Sequence, residues 1–179
     1  MPRTALEQRL IRRLQATGPI SVASYMAEVL TSPDGGYYSG GASGDRDPFG
    51  AAGDFVTAPE ISQMFGELLG LWCAEAWQRL GEPDPVTLAE LGPGRGTLMA
   101  DALRAAKMLP GFDTALRVHL VEVSRALRHK QAEMLGARIA GFHDQAADLP
   151  EGPALVIANE FFDALPVRQF ERTERGWSE

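Results

Sequence analysis

Apolar positions recur at two different periods along this chain. Up to about residue 80 they return every three or four residues, the helical period; from Val86 onward short apolar runs alternate with helical stretches. Leu6, Leu10, Ile11 and Leu14 make one stripe, which predicts a helix over Thr4–Ala16 that stops at Gly18-Pro19. Ser21 is suited to cap a second helix that runs to Leu30. Residues 31–53 are rich in Gly, Ser, Asp and Pro and predict a long loop. A third helix is expected from Pro59 to Leu80, with Ile61, Met64, Phe65, Leu68, Trp72 and Leu80 at helical spacing. Thr57 and Glu60 have the spacing of a capping box at its start, and Gly81 and Pro83 close it.

The second part reads as strands Val86–Leu91, Leu116–Val123, Arg138–Phe142 and Ala154–Ala158, with helices Thr97–Met108 and Ser124–Leu135 between them. Such alternation implies right-handed crossovers and a parallel sheet with helices on both faces. The fold class expected is therefore α/β, a mostly parallel sheet preceded by a helical extension. Residues 1–82 would form the extension and a lid loop, and residues 83–179 the sheet domain. The ending "PVRQFERTERGWSE" reads as a strand, a turn and the start of another strand. Four strands are few for a doubly wound sheet, so the sheet is expected to be incomplete at its C-terminal side. An edge left uncovered there predicts aggregation or a homodimer.

Length and composition add limits. A chain of 179 residues suits one ordinary domain, and 45% hydrophobic residues allow a sizeable core. A net charge of −7 argues against a basic nucleic-acid surface. Cys73, the one cysteine, rules out an internal disulfide framework. No apolar run approaches a membrane span. Arg3, Arg9, Arg12 and Arg13 near the N-terminus also suit a mitochondrial presequence, but the apolar stripe favours a folded helix.

The candidate chemistry centres on "VTLAELGPGRGTL", Val86–Leu98, a strand, a glycine loop and a helix start. Gly92, Gly94 and Gly96 give G-x-G-x-G, one residue short of the dinucleotide fingerprint, whose third glycine would fall on Thr97. The Gly-Lys-Ser/Thr ending of a phosphate loop is missing too. Glu90 stands two residues before the first glycine, where it would repel a pyrophosphate but attract a cation. S-adenosylmethionine fits better: it has an ammonium, a carboxylate and a sulfonium, and no phosphate. The glycines let backbone approach its methionine part, and the helix N-terminus faces its carboxylate. Glu122, ending "HLVEVS", is placed to accept both ribose hydroxyls, against the plainer reading of a solvated strand-end acid. Asp144 in "GFHDQ" is a candidate for the adenine amino group, or simply a turn residue. His143 reads as structural or as an exposed turn residue, since no second His or Cys stands at metal-ligand spacing. Arg95, between two of the glycines, either reaches the cofactor carboxylate or points to solvent.

The stretches "ELGPGRGTL", "GDFVTAPEISQMFGELLG" and "NEFFDALPVRQF", with "GPISVASYM" and Tyr37-Tyr38 before them, resemble the MidA-like family of class I S-adenosylmethionine-dependent methyltransferases. The resemblance spans nearly the whole chain. It implies a Rossmann-like fold, S-adenosylmethionine as cofactor and a protein arginine as acceptor. Mitochondrial members of the family are respiratory complex I assembly factors that methylate a complex I subunit. The implied location is the mitochondrial matrix for eukaryotic relatives and the cytoplasm for a bacterial protein. Family members run to about twice this length, which leaves a non-catalytic assembly or interaction module as the rival reading.

The run "ALVIANEFFDALP" places Asn159 and Glu160 where an apolar strand ends, the edge at which open parallel sheets bind ligands. Asn159 is a cofactor candidate. A guanidinium acceptor needs carboxylates to hold and polarise it, and Glu160 and Asp163 are the catalytic candidates. Phe161 and Phe162 either line an acceptor pocket or pack the following turn into the core. Gly53 and Phe55 are candidates for a lid over the cofactor, with Asp54 undecided; the capping box leaves Thr57 and Glu60 without a chemical role.

Overall fold

The structure is a computed structural model that describes residues 3–32, 35–39 and 57–179. It divides into two compact units, Met1–Pro48 with Phe162–Glu179, and Phe49–Phe161.

In the first unit, helix α1 (Ala5–Thr17) is capped by Thr4, whose hydroxyl accepts from the Glu7 N–H, and α2 (Val22–Thr31) by Ser21. Of the α1 stripe only Leu10 is buried, and Leu14 is exposed. Polar contacts join the two helices. Arg13 and Arg9 both pair with Glu28, and Arg9 also donates to the Ser32 hydroxyl at 2.6 Å. The basic residues of α1 are thus part of a folded helix pair. The C-terminal residues of this unit form an antiparallel hairpin, β5 (Glu171–Thr173) with β6 (Gly176–Ser178), exposed along its length.

In the second unit, the single helix expected over 59–80 is two. Helix α3 (Ala58–Ile61) is followed by Ser62 in extended conformation, whose hydroxyl caps α4 (Gln63–Arg79) by accepting from the Met64 N–H at 3.2 Å. The capping box is not formed: Thr57 makes no side-chain cap, and the Glu60 carboxylate faces other partners. The buried face of α4 also differs from its apolar spacing. Ile61, Met64, Leu68 and Trp72 are 58–72% exposed, while Gly66, Gly70, Cys73, Ala74 and Trp77 are buried. The reason is close helix packing. A Cβ on Gly70 would lie 2.4 Å from the Ala102 carbonyl oxygen, and one on Gly66 would lie 2.6 Å from Asp101 Cβ.

The helix underneath is α5 (Thr97–Ala106), which follows strand β1 (Val86–Leu91). A short helix that the sequence did not suggest, α6 (Pro110–Ala115), buries Phe112 against Trp77 and leads into β2 (Leu116–Val121). Helix α7 (Arg125–Leu135) is capped by Ser124 and leads to β3 (Ile139–His143), and β4 (Ala154–Ile157) closes the unit. The four strands form one parallel sheet in the order β3-β2-β1-β4. β1 is buried at every position, as a central strand covered on both faces must be. Leu88, Leu98, Met99, Phe112, Val118 and Leu120 fill the core. Edge strand β4 buries Leu155 and Ile157 and leaves Val156 half exposed. Among the described residues no helix is long and apolar enough to cross a membrane.

Candidate functional site

Parallel order puts the carboxyl ends of all four strands on one side of the sheet. From β3 to β4 that side presents Asp144, Glu122, the glycine loop with Glu90 beneath it, and then Asn159 and Glu160. At about 4.8 Å between neighbouring strands, the row spans roughly 15 Å, a length suited to an elongated nucleoside ligand.

The loop is built on backbone that only glycine adopts without strain. Gly92, Gly94 and Gly96 have φ of 64°, 56° and 90°, and Gly96 serves as the N-cap of α5. The Gly92 N–H donates to the Val121 carbonyl at 2.9 Å, which fastens the loop to the end of β2. The Phe161 ring covers Gly92 so closely that a Cβ there would come within 2.6 Å of it. Phe161 therefore packs the turn, whereas Phe162 is largely exposed.

Glu90 lies under this loop and is only 3% exposed. Its carboxyl receives the Met99 N–H from the first turn of α5, yet burial outweighs that bond and pushes its pKa up to about 8. Its Oε2 has no hydrogen-bond partner in the structure. Glu122, also buried, accepts from the Ser124 N–H at 2.8 Å. Burial raises its pKa as well, opposed by the Ser124 and Val123 N–H groups, the Gln131 amide and the Arg128 charge.

Asp144 is placed differently from the other two acids. Its side chain is 80% exposed and pairs with Arg128 at 2.7 Å. The same guanidinium donates to the Glu122 carbonyl at 2.6 Å and lies over the Phe142 ring. Asn159 is half-buried just after β4, and Glu160 is exposed with a left-handed φ of 47°, a strained conformation for a residue with a Cβ. Asp163 is exposed in a 3-10 turn, Phe162–Ala164, in the other compact unit. Gly53, Asp54 and Phe55 lie outside the described residues.

Several participants were not evident from the sequence. Glu60 accepts from the Thr97 hydroxyl at 2.7 Å and faces Arg95 at 3.5 Å, so α3 is fastened to the glycine loop. Gln131, fully buried, donates to the Gly94 carbonyl at 2.7 Å. Its signal was an amide on the apolar stripe Leu127–Gln131–Leu135 of α7. His143 has a histidine partner after all: its Nε2 lies 2.8 Å from Nδ1 of His119 on the neighbouring strand. Burial, and then His143, lower the pKa of His119, which favours its neutral form. No group of three metal-binding side chains occurs among the described residues.

The profile of one methyltransferase family, described as "Putative S-adenosyl-L-methionine-dependent methyltransferase", matches residues 68–179, the stretch that holds the loop and all four strands. The chain belongs to this family.

Relatives agree with that membership. The chain is 44% identical to the mitochondrial protein arginine methyltransferase NDUFAF7 of Danio rerio, over 96% of this chain and 45% of that protein. With the Homo sapiens protein of the same name it shares 41% identity, over 99% of this chain and 45% of the relative. The chain thus spans about half the length of the curated relatives it matches. A crystal structure from Burkholderia thailandensis, bound to S-adenosyl-homocysteine, superposes with a TM-score of 0.76 at 35% identity, covering 97% of this chain and 45% of that one. For a methyltransferase of this family the residues fit the cofactor. A buried carboxylate oxygen without a partner suits an ammonium, and three loop glycines without side chains let a ligand approach the backbone closely.

Proposed function

We propose that the protein containing this chain transfers a methyl group from S-adenosylmethionine to an arginine of a protein partner. The observation that carries the reading is the unpartnered buried oxygen of Glu90 beneath the glycine loop. Near the loop, such an oxygen suits a cationic ligand group better than a phosphate. Bound there, the cofactor supplies a methyl group made electrophilic by a positive sulfur. Glu90 holds the ammonium, Gly92, Gly94 and Gly96 line the methionine part, and Glu122 accepts the ribose hydroxyls. Asp144 and Asn159 complete the cofactor contacts in this reading, although the pairing of Asp144 with Arg128 supports a role at the rim more than on the adenine itself. Glu160 holds the acceptor guanidinium, an assignment its strained backbone supports, and Asp163 is the second candidate for that task. In this reading residues 1–82 are a helical extension and residues 83–179 hold the cofactor. The eukaryotic relatives are named mitochondrial protein arginine methyltransferases, which supports a protein substrate here; the matrix and a respiratory complex I subunit remain what the family resemblance implies.

Ligand linkage gives the first test. S-adenosylhomocysteine, and not NAD, raises the melting temperature, and Gly94→Val removes the shift by placing a side chain in ligand space. Equal stabilisation by NAD would defeat the reading. Glu122→Ala weakens S-adenosylhomocysteine more than tenfold in isothermal titration, since a hydrogen bond to a charged group is worth about 1.5–3 kcal/mol. A loss below twofold returns Glu122 to an ordinary strand-end acid. Methyl transfer to a purified arginine-bearing protein then separates an enzyme from a cofactor-binding assembly module.

A further inference from the structure

We propose that Gln131 is a positioning residue: it ties the glycine loop to the ribose-holding carboxylate of Glu122 and so fixes the separation between the two ends of the nucleoside ligand. The proposal rests on reading this edge of the sheet as the S-adenosylmethionine site.

Gln131 lies in the middle of α7 with Leu127 one turn before it and Leu135 one turn after, all three buried. A leucine there would continue the stripe. A fully buried amide is costly, and here its Oε1 has no hydrogen-bond partner, so whatever the residue contributes rests on its Nε2. Its Nε2 has two hydrogens. One goes to the Gly94 carbonyl at 2.7 Å, the other toward Glu122 Oε2 at 3.5 Å. The first acceptor belongs to the loop after β1 and the second to the end of β2. One planar amide on a third element therefore bridges them, firmly at Gly94 and by a longer contact at Glu122. The backbone of the site is close as well: a Cβ on Gly96 would lie 3.5 Å from Gln131 Cγ.

The direction of the bridge matters. The amide donates to both groups, so it favours Glu122 as a carboxylate, the form that accepts two hydroxyls. Other charged groups face this acid. Arg128 of α7 supports ionisation and is itself paired with Asp144 after β3. Glu90 occupies the neighbouring strand end, while the His143 ring is turned to His119 and only its carbonyl meets the Glu122 N–H at 3.0 Å.

Two variants of the full chain test this, with S-adenosylhomocysteine titrated calorimetrically from acid to alkaline pH. Gln131→Met keeps volume and removes the bridge; the affinity falls at least tenfold, and the loss on acidification begins at higher pH, because Glu122 has lost a donor. Gln131→Glu keeps the shape but replaces the donor by an acid. It binds while one proton is shared between the two carboxyls and weakens as pH rises and both ionise, opposite in direction to the wild type. Glu90 titrates in every variant and acts in the wild-type direction, so it cannot produce that reversal. If both variants bind within twofold of wild type with unmoved pH profiles, the positioning role is wrong. If Gln131→Met does not fold, the pH direction of Gln131→Glu decides alone. A wild-type protein that does not bind S-adenosylhomocysteine overturns the site reading itself, and this proposal with it.

Discussion

Glu90 shows how one residue links stability to ligand chemistry. Its pKa is raised from 4.5 to about 8 in the folded chain, so the folded state keeps a proton that the unfolded chain releases between those values. Stability of the ligand-free protein therefore falls as pH rises through that window and levels off above it. Glu90→Gln is neutral at all pH and removes the part of the slope that Glu90 causes. Urea unfolding at pH 5 and pH 8 reads the difference, with the variant more stable than wild type at pH 8 by on the order of 4 kcal/mol. An ammonium brought to the carboxyl reverses the balance and expels its proton. Calorimetry at pH 7 in two buffers of different ionisation enthalpy is expected to show proton release on S-adenosylhomocysteine binding, absent in Glu90→Gln. Buffer-independent heats in the wild type would remove Glu90 from the ammonium site.

At the scale of elements, the contact between α4 and α5 depends on two glycines. A glycine inside a helix is usually replaced by alanine with a gain of about 0.5–1 kcal/mol. Gly70 is predicted to behave oppositely. Its added methyl would meet the Ala102 carbonyl oxygen at 2.4 Å and the Cα at 2.8 Å, both backbone atoms that have nowhere to move. Gly70→Ala is expected to cost about 1–3 kcal/mol, seen as a lower urea midpoint at unchanged slope. A gain in stability would mean that the helices are not packed this closely in solution. Because α5 carries the glycine loop at its start, the same variant is expected to weaken cofactor binding modestly.

At the scale of the molecule, the face of α4 opposite those glycines is apolar and open. Met64, Leu68, Leu71 and Trp72 are 43–62% exposed along it. Several large side chains on one helix face exceed the scattered apolar exposure of ordinary surfaces. The chain alone is predicted to self-associate with rising concentration. The double variant Leu68→Glu, Trp72→Glu is expected to shift light scattering toward the monomer without loss of helical signal. A wild-type chain that stays monomeric at high concentration would contradict this.

The sequence by itself determined whatever depends on local period and local chemistry. β1 is Val86–Leu91 as read, Ser21 is the cap its sequence context implied, and G-x-G-x-G after an acid was enough to prefer S-adenosylmethionine over a dinucleotide. These features are legible because a strand run, a cap or a left-handed glycine is set by neighbours in the chain. Tertiary structure decided the rest. The spacing of Ile61, Met64, Leu68 and Trp72 marks a helix but not its inner face, which the close approach of α5 at Gly66 and Gly70 selected. Thr57 and Glu60 have the spacing of a cap, but Glu60 accepts instead from Thr97, 37 positions away. His119 and His143 are separated by 24 positions and meet only because β2 and β3 are parallel neighbours. Gln131 reads as a helix residue until two loops close around it. In each case the deciding partner is distant in sequence, and pairings of that kind are fixed by packing, which no local pattern records.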